Sequence, residues 1–234
     1  MIKSKTGGGG LSRKILTVMI SSLLPISVAM ADNKVFIEQV GSSNTVSITQ
    51  IGSTNRVGNS GLNQESTITG SNNTLTTSQT GDGNIIDYTI IGSGNTISKT
   101  VLGNTNQITF TCGDNTTSCS TVTSTMNVTG DLNTITSTIK GSNITNLLNI
   151  TGDSNTLTQT ITTNSSTSDI TINGDSNTFT SSMTGPSGGT GHHLVALVTG
   201  TSNTHSITQS GSVNTTVNVT TTGNSNSVTV STGN

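Results

Sequence analysis

Hydrophobic and polar positions alternate along most of this chain, in short runs that each follow a glycine. Alternation of period two predicts strands with one face buried and one face in water. The runs also repeat: Gly130-Asp131-Leu132-Asn133-Thr134-Ile135-Thr136 returns as Gly152-Asp153-Ser154-Asn155-Thr156-Leu157-Thr158 and again as Gly174-Asp175-Ser176-Asn177-Thr178-Phe179-Thr180, a period of 22. Gly141 bisects the first interval, so the elementary unit is an eleven-residue half-turn used twice per coil. Fixing eleven backbones costs on the order of 11–20 kcal/mol, whereas burying two or three aliphatic side chains returns roughly 4–8 kcal/mol. One half-turn alone therefore unfolds, and the difference must come from stacking on its neighbours. The expected fold is all-β: a β-solenoid of stacked 22-residue strand-turn-strand coils with two facing sheets.

Numbering each half-turn from its Gly as position 0 places an Asn at +3 almost throughout: Asn44, Asn55, Asn73, Asn84, Asn95, Asn106, Asn133, Asn155, Asn177, Asn203, Asn214 and Asn226. Position +5 is mostly aliphatic or aromatic (Val46, Val57, Leu75, Ile86, Ile97, Ile108, Ile135, Leu157, Phe179, Val228), which turns +5, +7 and +9 inward and leaves the Ser- and Thr-rich even positions in water. The Gly suits a tight turn of positive φ, and the Asn closes that turn or stacks on its equivalent in the next coil. The register slips in four places. It is read as compressed between Gly52 and Gly70 around Gly58-Asn59-Ser60-Gly61, stretched between Gly113 and Gly130, degenerate near Thr163 to Asn173, and interrupted by an outward loop from Gly185 to Gly191. None of these is a domain boundary.

Only 8% of the 234 residues are charged and 2% aromatic, a composition that disordered chains share, but a fixed Gly and Asn register is not a property of disorder. Residues 1–31 read as a secretory signal, with Lys3, Lys5, Arg13 and Lys14 before an apolar run from Ile15 to Val28 and cleavage expected before Asp32. That leader holds four of the eight basic residues and none of the ten acidic ones. Residues 32–234, the repeat domain, then carry 4 minus 10, a net charge of −6, which disfavours nucleic acid and anionic membrane as partners.

Candidate chemistry is sparse. Cys112 and Cys119 flank the stretched turn and, in an exported chain, predict a local disulfide rather than a metal site. His192 and His193 point to opposite faces of a strand and are read as a surface pair without a function, while His205 falls on an inward +5 position. Asp131, Asp153 and Asp175, spaced by 22, should stack along one edge; main-chain bonding within the turn accounts for them, and a bound Ca²⁺ is the alternative. No nucleophile, base and orienting acid share a motif, and no cofactor motif is found, so the chain does not read as an enzyme.

Four half-turns carry Gln two residues before the Gly: Gln39-Val40-Gly41-Ser42-Ser43-Asn44, Gln50-Ile51-Gly52-Ser53-Thr54-Asn55, Gln79-Thr80-Gly81-Asp82-Gly83-Asn84 and Gln209-Ser210-Gly211-Ser212-Val213-Asn214. This resembles the Gln-x-Gly-x-x-Asn signature of the curlin repeat, found in the subunits of curli, the secreted amyloid fibres of bacterial biofilms. The resemblance implies inward ladders of Gln and Asn, here Gln39, Asn44, Gln50, Asn55, Gln79, Asn84, Asn95, Asn106, Asn133, Asn155, Asn177, Asn203, Gln209 and Asn214, and subunits joined end to end. It also implies a homopolymer outside a bacterial cell, reached through the periplasm, with a nucleator or minor subunit and secretion machinery as further partners. Two other functions fit the pattern. Rows such as Thr134, Thr136 and Thr138 over Thr156, Thr158 and Thr160 resemble the ice-binding face of β-solenoid antifreeze proteins, and the solenoid could also be the spacer of an adhesin or phage fibre, with the loop from Gly185 to His193 as its contact.

Overall fold

The computed structural model describes residues 32–58, 65–185 and 191–233. The expected leader lies outside the described residues, as do Asn59 to Gly61 and the middle of the Gly185–Gly191 insertion. Within them the chain is all-β without a helix, wound as a β-solenoid of about eight turns. Sheet one is built of Lys34–Val35 with Ile37–Val40, Arg56–Val57 with Ser66–Thr69, Ile85–Ser93, Gln107–Cys112 with Cys119–Ser120, Thr134–Ile139, Thr156–Thr162, Thr178–Thr184, Thr204–Ser210 and Ser227–Thr232. Sheet two faces it with Thr45–Ile51, Thr74–Thr80, Thr96–Leu102, Thr123–Thr129, Thr145–Leu147 with Ile150–Thr151, Thr167–Ser168, His193–Val195 and Thr216–Asn218. Pairing is parallel throughout both sheets, and each coil adds one rung to each sheet.

The alternation read from the sequence is the inside and outside of this coil. Residues at +5, +7 and +9, among them Ile48, Leu75, Ile97, Val101, Ile108, Phe110, Ile139, Leu157 and Phe179, form one continuous buried core between the sheets. Like side chains sit over like in register, Ile86 on Ile108 on Ile135 on Leu157 on Phe179. Ile170 and Ile172, from the degenerate half-turn, are fully buried and donate their main-chain N–H groups to Leu147 and Asn149 of the preceding rung, so that segment is an ordinary member of sheet two.

One reading of the register needs correction. The stretch between Gly52 and Gly70 is not two compressed half-turns but one half-turn enlarged by an insertion. Lys34 pairs with Arg56 at the basic offset of 22, while Ile37 pairs with Ser66 at an offset of 29. The seven extra residues therefore leave sheet one after Gly58 and return at Ser66. Counting glycines from the sequence could not separate the two cases, because the interval from Gly52 to Gly70 is longer than one half-turn and shorter than two. The other insertions behave alike, with coil-to-coil offsets of 27, 26 and 23 interrupting the basic 22. A solenoid tolerates this because each coil contacts only its neighbours, and the rungs on either side of an insertion stay paired in register.

The corners are tight. At Gly130 φ is +116°, and an added Cβ would lie 2.2 Å from the carbonyl oxygen of Gly152 in the next coil. Position +2 is left-handed in most corners and needs no glycine, since Thr54, Leu132, Ser154 and Ser176 all take φ between 56° and 59° there. Gly94 occupies such a +2 position at φ +71°, with nothing within 4 Å of its would-be Cβ. Gly130→Ala is accordingly expected to lower stability by about 3 kcal/mol, because neighbouring coils must separate, and Gly94→Ala by only about 1 kcal/mol. Urea denaturation of the two variants side by side checks the difference.

Candidate functional site

The +3 Asn side chains lie inside the two corners of the coil and tie each rung to the next. At the corner that leads into sheet one, Asn33, Asn55, Asn84, Asn106, Asn133, Asn155, Asn177, Asn203 and Asn226 form one unbroken file. The unit is the same on almost every rung. The main-chain N–H and the side-chain Nδ2 of Asn133 both donate to Oδ1 of Asn106, at 2.9 and 3.0 Å, and Nδ2 donates a second bond to the carbonyl of Gly152 at 2.9 Å. One amide thus bonds the coil before it and the coil after it. Asn33 opens the file without a described Gly ahead of it, which is why glycine-based numbering passed it over.

At the opposite corner the file is short. Asn73 donates to Asn44 and Asn95 to Asn73, and Val122 donates its N–H to Asn95 at 3.0 Å. Beyond that the position is held by Ile144, Ser166, His192 and Thr215. Asn214 is exposed and outside the ladder: the chain takes six steps from Ser210 to Thr216, where the equivalent corner from Thr162 to Thr167 takes five, and the extra residue moves Asn214 out of the corner. His192 is buried, which overturns its reading as half of a surface pair. Its Nδ1 meets the Thr215 hydroxyl at 2.8 Å and its Nε2 the Thr184 carbonyl at 3.1 Å, so it fills an Asn site, while His193 faces outward.

The glutamines divide. Gln50 donates to Gln79 at 2.8 Å on adjacent rungs of sheet two, whereas Gln209 bonds the carbonyls of His193 and Thr215 near the far end and Gln39 lies on the first rung of sheet one. At +1, acidic and amide side chains line the outside of the corner: Asp131 Oδ1 accepts the N–H of Asn104 at 2.6 Å, Asp153 that of Asp131 at 2.7 Å, and Asp175 that of Asp153 at 2.8 Å. Each carboxylate is therefore directed at the coil before it rather than at its own turn. Ser53 serves Asp82 in the same way, and these hydrogen bonds, from its N–H first and its hydroxyl second, hold the Asp82 carboxyl below its usual range. No cluster of three or more His, Cys, Asp or Glu suited to a metal ion occurs among the described residues.

Cys112 and Cys119 are joined in a disulfide. Cys112 pairs with Ile90 and Cys119 with Gly92, so the bond clips the base of a loop that leaves and rejoins the sheet within two steps of the neighbouring rung. Above it the Asp114 carboxylate lies 2.6 Å from Lys140 Nζ and accepts from Thr116 and Thr117, and the lysine beside it, then these donors, keep its carboxyl well below the usual range.

Two inward polar residues were not singled out in the sequence. Lys99, at +7, is fully enclosed; its Nζ is 2.6 Å from Ser124 Oγ and 4.2 Å from the centre of the Phe110 ring. Ser124 donates to Asn146, Asn146 to Oε1 of Gln159, also at +7, and Gln159 to Ser168, making a polar chain through the core. Parity alone marks both residues as inward; their polarity hid them. Burial brings the Lys99 amine down from 10.5 to about 7.

The sequence model of the Curlin associated repeat matches residues 31–58. Residues 31–58 thus carry a curlin repeat. The match spans the first coil of the solenoid with two of the four Gln-x-Gly-x-x-Asn signatures, those of Gln39 and Gln50. No curated protein and no solved structure matches the chain. The curlin repeat belongs to structural fibre subunits rather than to enzymes, and no helix among the described residues is long and apolar enough to cross a membrane.

Removing one ladder amide by Asn133→Ala strands the N–H and Nδ2 of Asn155 and the carbonyl of Gly152, and should cost about 2–4 kcal/mol in a urea titration. Lys99 makes stability depend on pH. Between about pH 7 and 10.5 the unfolded chain holds a proton that the folded chain does not, so stability rises with pH across that window by up to roughly 5 kcal/mol. Lys99→Met should flatten the rise and increase the urea midpoint at pH 7.

Proposed function

We propose that this protein is a secreted, self-assembling subunit of a curli-like extracellular fibre of a bacterium, used in adhesion or in a biofilm matrix. The observation that carries the proposal is the condition of the two rims. Thr216–Asn218 and Ser227–Thr232 at one end, and Ile37–Val40 and Thr45–Ile51 at the other, each have a strand partner on one side only among the described residues. Val228 and Val230 are only partly covered on the last rung, whereas their equivalents in the rungs above are buried. Parallel strands with unpaired N–H and C=O groups over an uncovered apolar strip recruit further strands of the same kind. Growth along the coil axis is consistent with the curlin repeat, and the scarcity of charge on outward positions leaves little to oppose it. Export through the periplasm, a nucleating partner and dedicated secretion machinery belong to the same proposal, with residues 1–31 as the export signal.

A second reading rests on the outer face of sheet one, where Thr67, Thr89, Thr111, Thr138, Thr160, Ser182, Thr208 and Ser231 stand in one column. A regular hydroxyl and methyl array of that length fits an ordered water lattice, and thermal hysteresis of the protein solution is its test. Threonine is also a common outward residue of strands, and the fibre reading accounts for the rims as well.

The exported protein, incubated at micromolar concentration, is expected to form unbranched fibrils whose fibre diffraction shows the cross-β pair of reflections, at roughly 4.8 Å and roughly 10 Å. Protein that stays monomeric over days overturns the proposal.

A further inference from the structure

The described solenoid holds nine rungs in sheet one but eight in sheet two, because it opens and closes with a strand of sheet one. For copies made of residues 32–233, that odd number of half-turns decides how a second copy can follow the first. If the second copy arrives unrotated, its sheet one continues sheet one, but the last rung of sheet two and the next copy's first rung of that sheet stand two strand spacings, about 10 Å, apart. One strand is missing there, so two rows of main-chain groups stay unpaired and the core is open to water. If it arrives turned by half a revolution about the coil axis, its sheet one falls on the first copy's sheet two, and the half-turns continue without a gap. The cross-section permits this, since the repeating unit is the half-turn and the first coils of the incoming copy carry Gly-x-x-Asn at both corners.

We infer that copies of this chain join head to tail with a half-revolution between them, an inference that rests on the fibre reading above. The side chains that meet are complementary at both rims. On one side Val217, Val219 and Thr221 receive Val35, Ile37 and Gln39 of the next copy, and on the other Val228, Val230 and Thr232 receive Val46, Ile48 and Gln50. Apolar faces apolar at +5 and +7, and hydroxyl faces amide at +9. Gln39 Oε1 and Thr232 Oγ1 are buried at these rims without a hydrogen-bond partner, and the joint sets a polar group beside each: Thr221, whose hydroxyl also meets His205 Nε2 at 2.9 Å, beside Gln39, and Gln50 beside Thr232. The corners also agree. Asn226 ends the long file, and the half-revolution brings Asn44 of the next copy onto it, so the long ladder runs on into Asn44, Asn73 and Asn95. The resulting fibre advances about 41 Å per subunit and repeats after two.

The test uses outward cysteines at +6, where neighbouring rungs lie within disulfide reach. In the turned joint Thr229 adjoins Ser47 of the next copy; in the unturned joint it adjoins Phe36. Fibres of a Thr229→Cys/Ser47→Cys chain, oxidised and dissolved in non-reducing detergent, should run as a ladder of covalent multimers, and those of a Thr229→Cys/Phe36→Cys chain as monomer. Cryo-electron microscopy of wild-type fibres should give a rotation near half a revolution per subunit. Multimers from the second variant alone, no multimers from either, or a rotation near zero overturns the half-revolution while leaving fibre formation intact; protein that forms no fibres in any variant overturns the fibre reading itself.

Discussion

The structure depends on one hydrogen-bonded corner. An inward Asn accepts two donors from the following coil and returns a donor to the carbonyl of that coil's turn, so a side chain of ordinary size spans the spacing between rungs twice. The bond sets the register of every strand that follows it. Because strand side chains alternate faces, a slip of one residue would turn the whole aliphatic set outward, and the corner amide excludes that slip. Asn214 illustrates the rule by exception: one additional residue in the turn removes it from the file, and Thr215 and His192 hold the corner instead.

Once the corners are fixed, length between them is free. The offset between coils grows by several residues after Gly58, between Cys112 and Cys119, and after Gly185, and the rungs on either side still pair in parallel register. Each coil contacts only its neighbours, so a loop disturbs one junction and not the stack. The disulfide and the Asp114 to Lys140 ion pair hold one such loop at its base, where the detour begins inside a strand rather than at a corner.

The interior is narrow enough to favour small and regular side chains, yet it encloses a lysine and a chain of serine and amide groups. Their presence shows that position, not polarity, decides what is inside. A more stable core would be aliphatic throughout, and the enclosed amine lowers stability near neutral pH. The same positional logic operates at the rims, where a half-turn is complete in itself except for the strand it lacks, which makes another half-turn its natural complement.

How much of this was legible beforehand follows from what is local. The period, the two-sheet coil, the inward set and the file from Asn55 to Asn203 are properties of spacing, and spacing is visible along one dimension. The proximity of Cys112 and Cys119 in sequence made their bond legible too. What tertiary structure alone decided is where adjacent coils meet. Whether the interval from Gly52 to Gly70 forms one half-turn or two, that Asp153 reaches the coil before it, that His192 takes an Asn site, that the four signature glutamines do not share a single ladder, and that Lys99 finds Ser124 across the sheet all turn on the offset between coils. Insertions reset that offset from one turn of the solenoid to the next, and a repeat read along the chain carries no measure of it until the strands are paired.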